Sequence, residues 1–331
     1  VSSQTLSILN KSFGKKQKYN ILTFDTHERY QTQLSKTGHS FYSFRYEGCK
    51  EWNEEYAEIP KNYYILPKNT LYHGINFDFI LSQSKFGQFQ VSKKIQNILN
   101  LPIISLEHTL PIPSWPNQQT EAFRQMSGDI NIFISEYSHK QWKMSGKVIH
   151  HSVDIDLFSP RIKEGIIIPK NDHVLSVVND YVNRDYCCNF KGWQRITNGI
   201  KTKLIGNTPG LSKPAASIQD LVEEYRNAKV FLNTSTISPV PTSLLEAMSC
   251  GCAVVSTATC MIPDIINNGV NGFISNNEEE LRDYIDLLLK SDELRNRLGL
   301  EARKTVVERF SEQYFINNWN TIFDNIYGVN I

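Results

Sequence analysis

Residues 238–256 read SPVPTSLLEAMSCGCAVVS, and the reading of this stretch decides how the rest of the chain is understood. A leucine-rich turn follows Pro239, Pro241 and the pair Thr242-Ser243, stops at Gly251, and gives way to Ala253, Val254 and Val255. A loop, a short helix and a buried strand therefore follow in that order. Glu246 lies three residues after Ser243, the spacing of a capping box, in which the serine caps the helix and the glutamate returns a bond to the serine amide. A carboxylate there is equally able to accept from two ligand hydroxyls at once. Because Pro239 and Pro241 have no N–H, the helix start presents the amides of Val240, Thr242, Ser243 and Leu244, and with the helix dipole these suit a diphosphate.

Outward from this stretch, strand-like and helix-like runs alternate. NILTF from Asn20, a helix over Glu28 to Lys36, a turn at Gly38-His39 and SFYSF from Ser40 open the chain. DFILSQ from Asp78, a helix through VSKKIQNIL and LPIISLEH to His108 repeat the order, and INIFIS from Ile130 and KVIHHSV from Lys147 bracket another helix. The alternation implies an α/β protein with parallel sheets covered by helices on both faces. Between Asp154 and Lys170 a charged segment bracketed by Ser159-Pro160 and Pro169 shows no helical period, which marks a domain boundary. The pattern restarts with HVLSVV from His173, KLIG to Gly206, a helix with Ile218, Leu221, Val222 and Tyr225 on one face, KVFLNTS, and the opening stretch. Two doubly wound domains are expected, 1–160 and 161–309. A terminal helix, 310–331, should cross back onto the first, because its stripe of Phe315, Ile316, Trp319, Ile322, Phe323 and Ile326 is too wide for the edge of one domain. Such domains face a cleft and bind ligands beyond the carboxyl ends of their strands. The pattern alone suits a nucleotide-using enzyme, a two-domain binding protein or an epimerase.

The formal net charge of +1 implies no polyelectrolyte partner. One basic cluster, Lys11, Lys15, Lys16 and Lys18, suits at most a weak peripheral contact with anionic lipid or phosphate. Neither a signal-peptide core nor a bilayer-length apolar run is present, and a cytoplasmic location is expected. The six cysteines include no CxxC pair and read as reduced and structural. His150 and His151 adjoin on a strand, so they point to opposite faces and form no metal pair. Asp154 and Asp156 sit in the interdomain turn, where turn chemistry accounts for them.

SLLEAMSCGCAVVST, followed by IPDIINNGVNGFI from Ile262, resembles the nucleotide-sugar signature of the family 4 glycosyltransferases, retaining enzymes of GT-B fold. KTGHSFYSF, LPIISLEH, VIHHSVDIDLFSP, LIGN, LVEEYRNAKVFLNTS and RFSEQYFINNWNTIFDNIY fall in family order, so the resemblance extends over nearly the whole chain from Lys18. It implies an N-terminal acceptor domain, a C-terminal donor domain, and transfer of a sugar from a nucleoside diphosphate with no cofactor and no metal. It also implies that His108 contacts the donor sugar, that Glu246 holds the ribose, and that Arg184 and Lys191 grip the diphosphate with the 240–244 amides. The chain departs from the family at four places. Ser238 stands at the first of two usual acidic positions. DTHERYQ replaces a glycine-rich loop, Arg184 and Lys191 are more widely spaced than usual, and the base-reading strand is missing or shortened around PGLSKPAAS. A catalytically silent nucleotide- or glycan-binding GT-B protein and a GT-B nucleotide-sugar epimerase are the alternatives; sugar, base and acceptor are not named by the sequence.

Overall fold

A computed structural model describes residues 18–326 except 73, 169, 170 and 239; Lys11, Lys15 and Lys16 lie outside the described residues, and Lys18 is exposed. The chain divides into two compact units. One runs to His150 and resumes at Gln313, and the other is His151–Glu312.

In the first unit the strands are β1 (Asn20–Thr23), β2 (Ser40–Ser43), β3 (Tyr63–Ile65), β4 (Phe79–Ser82), β5 (Ile103–Glu107), β6 (Ile130–Phe133) and β7 (Lys147–Val148). They pair in parallel in the order β3-β2-β1-β4-β5-β6-β7. The direction of winding reverses between β1 and β4, which makes that crevice the switch point of the sheet. Because strand side chains alternate, Ile21 enters one core with Phe41, Phe79 and Ile104, and Leu22 enters the other with Ile80, Phe89 and Ile103. The first of these cores is completed from far along the chain, by Phe315, Trp319, Ile322 and Phe323 of the Glu312–Asn325 helix. Trp319 is fully buried, and its indole N–H donates to Tyr30 Oη at 3.1 Å. Tyr19 Oη donates to Asp324 at 3.1 Å, and a His39 ring nitrogen meets Asn320 at 3.0 Å.

The second unit holds β8 (Ile162–Lys163), β9 (Ile166–Ile167), β10 (Val174–Val177), β11 (Thr202–Ile205), β12 (Val230–Asn233), β13 (Ala253–Ser256) and β14 (Phe273–Ile274). The last five form a parallel sheet in the order β11-β10-β12-β13-β14, with its switch point between β10 and β12. The segment read as a domain boundary for its lack of helical period contains the β8–β9 hairpin, whose tip Glu164-Gly165 has positive φ at both residues, as a two-residue hairpin turn requires.

The division also falls at 150/151, not 160/161, and at 312/313, not 309/310. Residues 151–160 are tied into the second unit by their own backbone. Val153 N–H donates to Phe310 O at 2.9 Å, the Phe158 carbonyl accepts from Arg303 at 2.9 Å, and the Ser159 carbonyl accepts from Arg226 at 2.6 Å. Among the described residues no helix is long and apolar enough to cross a membrane.

Candidate active site

The opening stretch folds as a loop, the Thr242–Ser249 helix and β13. The helix ends where the sequence places its stop. Gly251 adopts φ +73, its amide donates to Met248 O and that of Cys252 to Ala247 O, both at 3.0 Å, the paired bonds of a Schellman motif. A Cβ on Gly251 would come within 2.5 Å of the Ile167 side chain, so glycine is needed for space as well as for φ.

The start of the helix differs from the sequence reading. Its N-cap is Pro241, two residues earlier than a capping box would require, and no side chain caps it. Ser243 is thus the second helical residue and the Ser243–Glu246 box does not form. Glu246, 7% exposed, instead accepts from Tyr225 Oη of the Ile218–Asn227 helix at 2.8 Å. The Leu244 amide is engaged with Pro241 O at 3.0 Å, which removes it from the set of ligand amides. Val240 is buried, Ser238 and Ser243 are half-buried, and Thr242 is exposed.

Arg184 and Lys191 lie on the connection that leaves β10. Arg184 is the N-cap of the Asp185–Cys188 helix and is exposed, its guanidinium 3.4 Å from Asn179 O. Lys191 is the second residue of the Phe190–Ile196 helix; its amide donates to Asp185 Oδ1 at 2.9 Å, and its ammonium, on a side chain 74% exposed, stands 3.7 Å from Asp185 Oδ2. The wide spacing of these two cations is absorbed by a break at Asn189, which takes a left-handed φ of 57 and caps the second short helix through Gly192 N–H at 3.1 Å.

This connection is bonded directly to the loop that follows β12. Thr236 and Ile237 amides donate to Cys187 O at 2.8 and 3.1 Å, and Thr234 Oγ1 donates to Cys188 O at 2.9 Å. The Arg184 connection and the 234–241 loop therefore meet at the carboxyl ends of β10 and β12, the switch point of this sheet. Cys187 and Cys188 are both buried, with sulfurs 3.7 Å apart. The Cys187 thiol is drawn down to about 6, first by its hydrogen bond with Cys188, with Arg184 assisting against burial; Cys188 moves the opposite way, first through the same bond. Cys49, Cys187, Cys188, Cys250 and Cys252 are free thiols. Residues 210–216, where the sequence reading expects a strand to be missing or shortened, form no strand and line an open depression of about 900 Å³ with β11.

In the first unit His108 is buried at the end of β5, with the rings of His27 and Tyr30 edge-on at 4.4 and 4.7 Å. The DTHERYQ turn is closed by its own carboxylates. Buried Asp25 accepts from Ser43 Oγ at 2.7 Å, Tyr63 Oη at 2.6 Å and Arg45 Nε at 3.2 Å, and Glu28 accepts from Lys50 at 2.7 Å and the Asn53 amide at 3.1 Å. Sequence reasoning missed a second buried pair at this edge. Lys85 and Glu107 are each 1% exposed; the lysine donates to Met126 O, with its ammonium 5.7 Å from the Phe89 and Trp142 rings. Burial lowers Lys85 to about 8 and raises the Glu107 carboxyl. Glu107 Oε1 takes the Thr109 amide and hydroxyl at 2.9 and 2.6 Å, whereas Oε2 has no hydrogen-bond partner. The signal was a charged residue inside the apolar run LPIISLE. Asp154 Oδ1 accepts from the amides of Asp156 and Leu157, as a turn aspartate does. Among the described residues, no three His, Cys, Asp or Glu side chains are grouped to hold a metal ion.

Residues 214–305, which contain the Glu246 helix and end within the second unit, match the family model for glycosyl transferases group 1. Over 93% of the chain the structure superposes on all of Anabaena HepE, crystallised with UDP, at TM-score 0.72 and 15% identity. It also superposes, over 94% of the chain, on all of the sucrose-phosphate synthase of Thermosynechococcus elongatus at TM-score 0.72 and 13% identity. The fold is that of GT-B glycosyltransferases. Sequence relatives of this GT-B chain include the N-acetyl-alpha-D-glucosaminyl L-malate synthase of Bacillus anthracis, 32% identical over 85 residues, which are 25% of this chain and 22% of that protein. Another is the N,N'-diacetylbacillosaminyl-diphospho-undecaprenol alpha-1,3-N-acetylgalactosaminyltransferase of Campylobacter jejuni, 28% identical over 109 residues, or 32% of this chain and 29% of that protein. The matches thus span less than a third of the length of these curated relatives.

Proposed function

We propose that this protein is a glycosyltransferase that moves a sugar from a nucleoside diphosphate to an acceptor with retention of configuration, the second unit holding the donor and the first the acceptor. The observation that carries the reading is the bonding of the Arg184 connection to the 234–241 loop at the β10/β12 switch point, inside and beside the 214–305 match. This bonding supports a phosphate site formed by the cationic side chains of that connection and the start of the Thr242–Ser249 helix, since α/β sheets bind phosphates at such switch points. As the sugar–phosphate bond loosens, negative charge grows on the departing diphosphate. Arg184, Lys191 and the Thr242 and Ser243 amides stabilise it, a preorganised electrostatic role that needs no protein nucleophile and invokes no metal. Glu246 accepts from the ribose hydroxyls in addition to the Tyr225 hydroxyl.

Thermal-shift measurements with nucleoside diphosphates and their sugars, followed by assay of diphosphate release, test this. A ligand that binds only the folded state raises its stability according to concentration and affinity. Stabilisation by a nucleotide sugar together with slow release of the nucleoside diphosphate is expected. Ser238 at the usual first acidic position favours one other reading, a silent binding protein. Nucleotide binding without turnover of any donor would establish that reading, and interconversion of donors without acceptor would establish an epimerase.

A further inference from the structure

The first unit exposes an aromatic surface that neither of its cores uses. Phe86 follows β4, Trp115 follows β5, and Phe123 belongs to the Asn117–Arg124 helix, so all three gather at the carboxyl-terminal edge of neighbouring strands. Trp115 and Phe123 stack with centroids 5.0 Å apart and planes 23° off parallel; Phe86 leans on Phe123 at 4.8 Å and meets Trp115 edge-on at 5.9 Å. Phe86 is 48% exposed and Trp115 and Phe123 are only half-buried. The helix that carries Phe123 contributes no buried residue at all, so core packing does not account for it. Aromatic rings normally bury most of their area, and an apolar patch left in water marks an interaction surface.

The mounting is rigid. Lys85, next to Phe86, is bonded to Met126 O just beyond the helix. Arg124 Nε donates to Trp142 O at 2.8 Å, and Trp142 Nε1 donates to Thr109 O at 2.9 Å, which anchors both ends of the connection that carries Trp115. Three prolines, Pro111, Pro113 and Pro116, stiffen that connection. Such preorganised rings lose little entropy when a ligand docks.

The surroundings favour one kind of ligand. On the helix, the only charges are Glu121 and Arg124, which pair with each other at 3.3 Å, so the patch offers no excess positive charge to an anionic membrane. Beside the rings stand Asn117, Gln118 and Gln119, all exposed, whose amides both donate and accept. Flat aromatic faces flanked by neutral amides match a pyranose ring, which has an apolar C–H face and hydroxyls that act as donor and acceptor around its rim. We propose that Phe86, Trp115 and Phe123 form a stacking subsite for an uncharged glycan. That this glycan is the acceptor rests on the glycosyltransferase reading; the binding itself does not.

The test uses the full chain with maltohexaose, cellohexaose and chitohexaose as probes, binding being read by calorimetry and by saturation-transfer NMR with irradiation of aromatic protons. At least one hexasaccharide should bind and receive saturation at its ring C–H protons. Trp115→Ala and Phe123→Ala should each weaken binding at least tenfold, Trp115→Phe should retain it within a few-fold, and all three variants should keep the parent's response to nucleoside diphosphates. Binding of none of the three sugars, or binding indifferent to both alanine variants, overturns the proposal. So does adsorption to phosphatidylglycerol vesicles that Trp115→Ala abolishes while no sugar binds. Failure of the transferase reading looks different: glycan binding persists while no nucleotide sugar is turned over.

Discussion

Replacing Glu246 by glutamine separates the two bonds that its carboxylate is assigned. In a capping box the change would be nearly silent, because glutamine serves there as well as glutamate. The structure instead gives Glu246 a buried bond from Tyr225 Oη at 2.8 Å, with the tyrosine 1% and the glutamate 7% exposed. A hydrogen bond to a charged acceptor contributes about 1.5–3 kcal/mol and a neutral one about 0.5–1.5 kcal/mol, so Glu246→Gln should cost about 1 kcal/mol of stability. Tyr225→Phe should cost about 1–3 kcal/mol, since it deprives a buried acceptor of a donor. The double variant should lose less than the sum, because both changes act on one bond. Urea unfolding followed by tryptophan fluorescence measures all three. Nucleotide affinity gives the second axis. Loss of a charged acceptor facing the ribose should weaken UDP, GDP or ADP, whichever binds the parent, about ten- to a hundredfold in Glu246→Gln. Tyr225→Phe should leave that affinity within a few-fold. If Glu246→Gln loses stability yet binds nucleotide like the parent, the carboxylate only fastens one helix to another and its ribose role is wrong.

Three further outcomes are expected. Arg184→Ala and Lys191→Ala should each lower kcat for nucleoside diphosphate release at least about tenfold while nucleoside affinity stays within a few-fold, because their charge matters most as the phosphate departs; unchanged kcat in both removes them from the site. Trp319→Ala should cost about 3–5 kcal/mol in urea unfolding of the full chain, whereas Tyr314→Ala, 52% exposed on the same helix, should cost under about 0.5 kcal/mol; similar small losses would show that the terminal helix does not complete the first core. Burial lowers Lys85 to about 8, against about 10.4 when unfolded. Between these values the unfolded chain binds a proton that the folded one lacks, so the lysine's contribution to stability should rise by about 3 kcal/mol from pH 8 to above 10. The difference in unfolding free energy between the parent and Lys85→Met should trace that rise, and a difference independent of pH would contradict the lowered value.

The order of elements was legible because each central strand is buried on both faces and so reads as a short apolar run: NILTF, DFILSQ, LPIISLEH, KVFLNTS and Ala253 to Val255 became β1, β4, β5, β12 and β13 within a residue or two. What failed to announce itself lacks that signature. The edge strand β3 presents Tyr64 to solvent, β8 and β9 are two residues each, and the Asn117–Arg124 helix buries nothing that would give it a period. For the candidate site, the glycine stop of the Thr242–Ser249 helix was local and correctly read, since φ and sterics at Gly251 depend on neighbouring chain. Its start was not. The S-x-x-E spacing is present, but a helix beginning at Thr242 shifts Ser243 inward, and Glu246 is claimed by a tyrosine 21 residues away. Spacing along the chain cannot reveal that competition, and neither can it reveal the bonds from the 234–241 loop to Cys187 and Cys188, which join segments about 50 residues apart.

The same contrast bears on what the first unit can recognise. A glycine-rich turn after β1 would let backbone amides approach an anionic group at the β1/β4 switch point. Here the turn carries Asp25 and Glu28, and both are buried and bonded within the unit: the first to Ser43, Tyr63 and Arg45, the second to Lys50 and the Asn53 amide. An incoming phosphate or carboxylate would meet two carboxylates, each already matched by a cation, in place of open amides. Removing either acid leaves its donors and its cation without a buried partner, so the network resists rearrangement around a ligand. Anion recognition is thereby discouraged at the crevice where an α/β sheet ordinarily offers it, while a few residues along the same edge the Phe86, Trp115 and Phe123 surface offers apolar faces and neutral amides. Both features support the proposal of an uncharged glycan as the ligand of this unit. A phosphorylated saccharide that bound the first unit more tightly than its unphosphorylated counterpart, and lost that advantage in Arg45→Ala or Lys50→Ala, would show that the carboxylates yield to an anion after all.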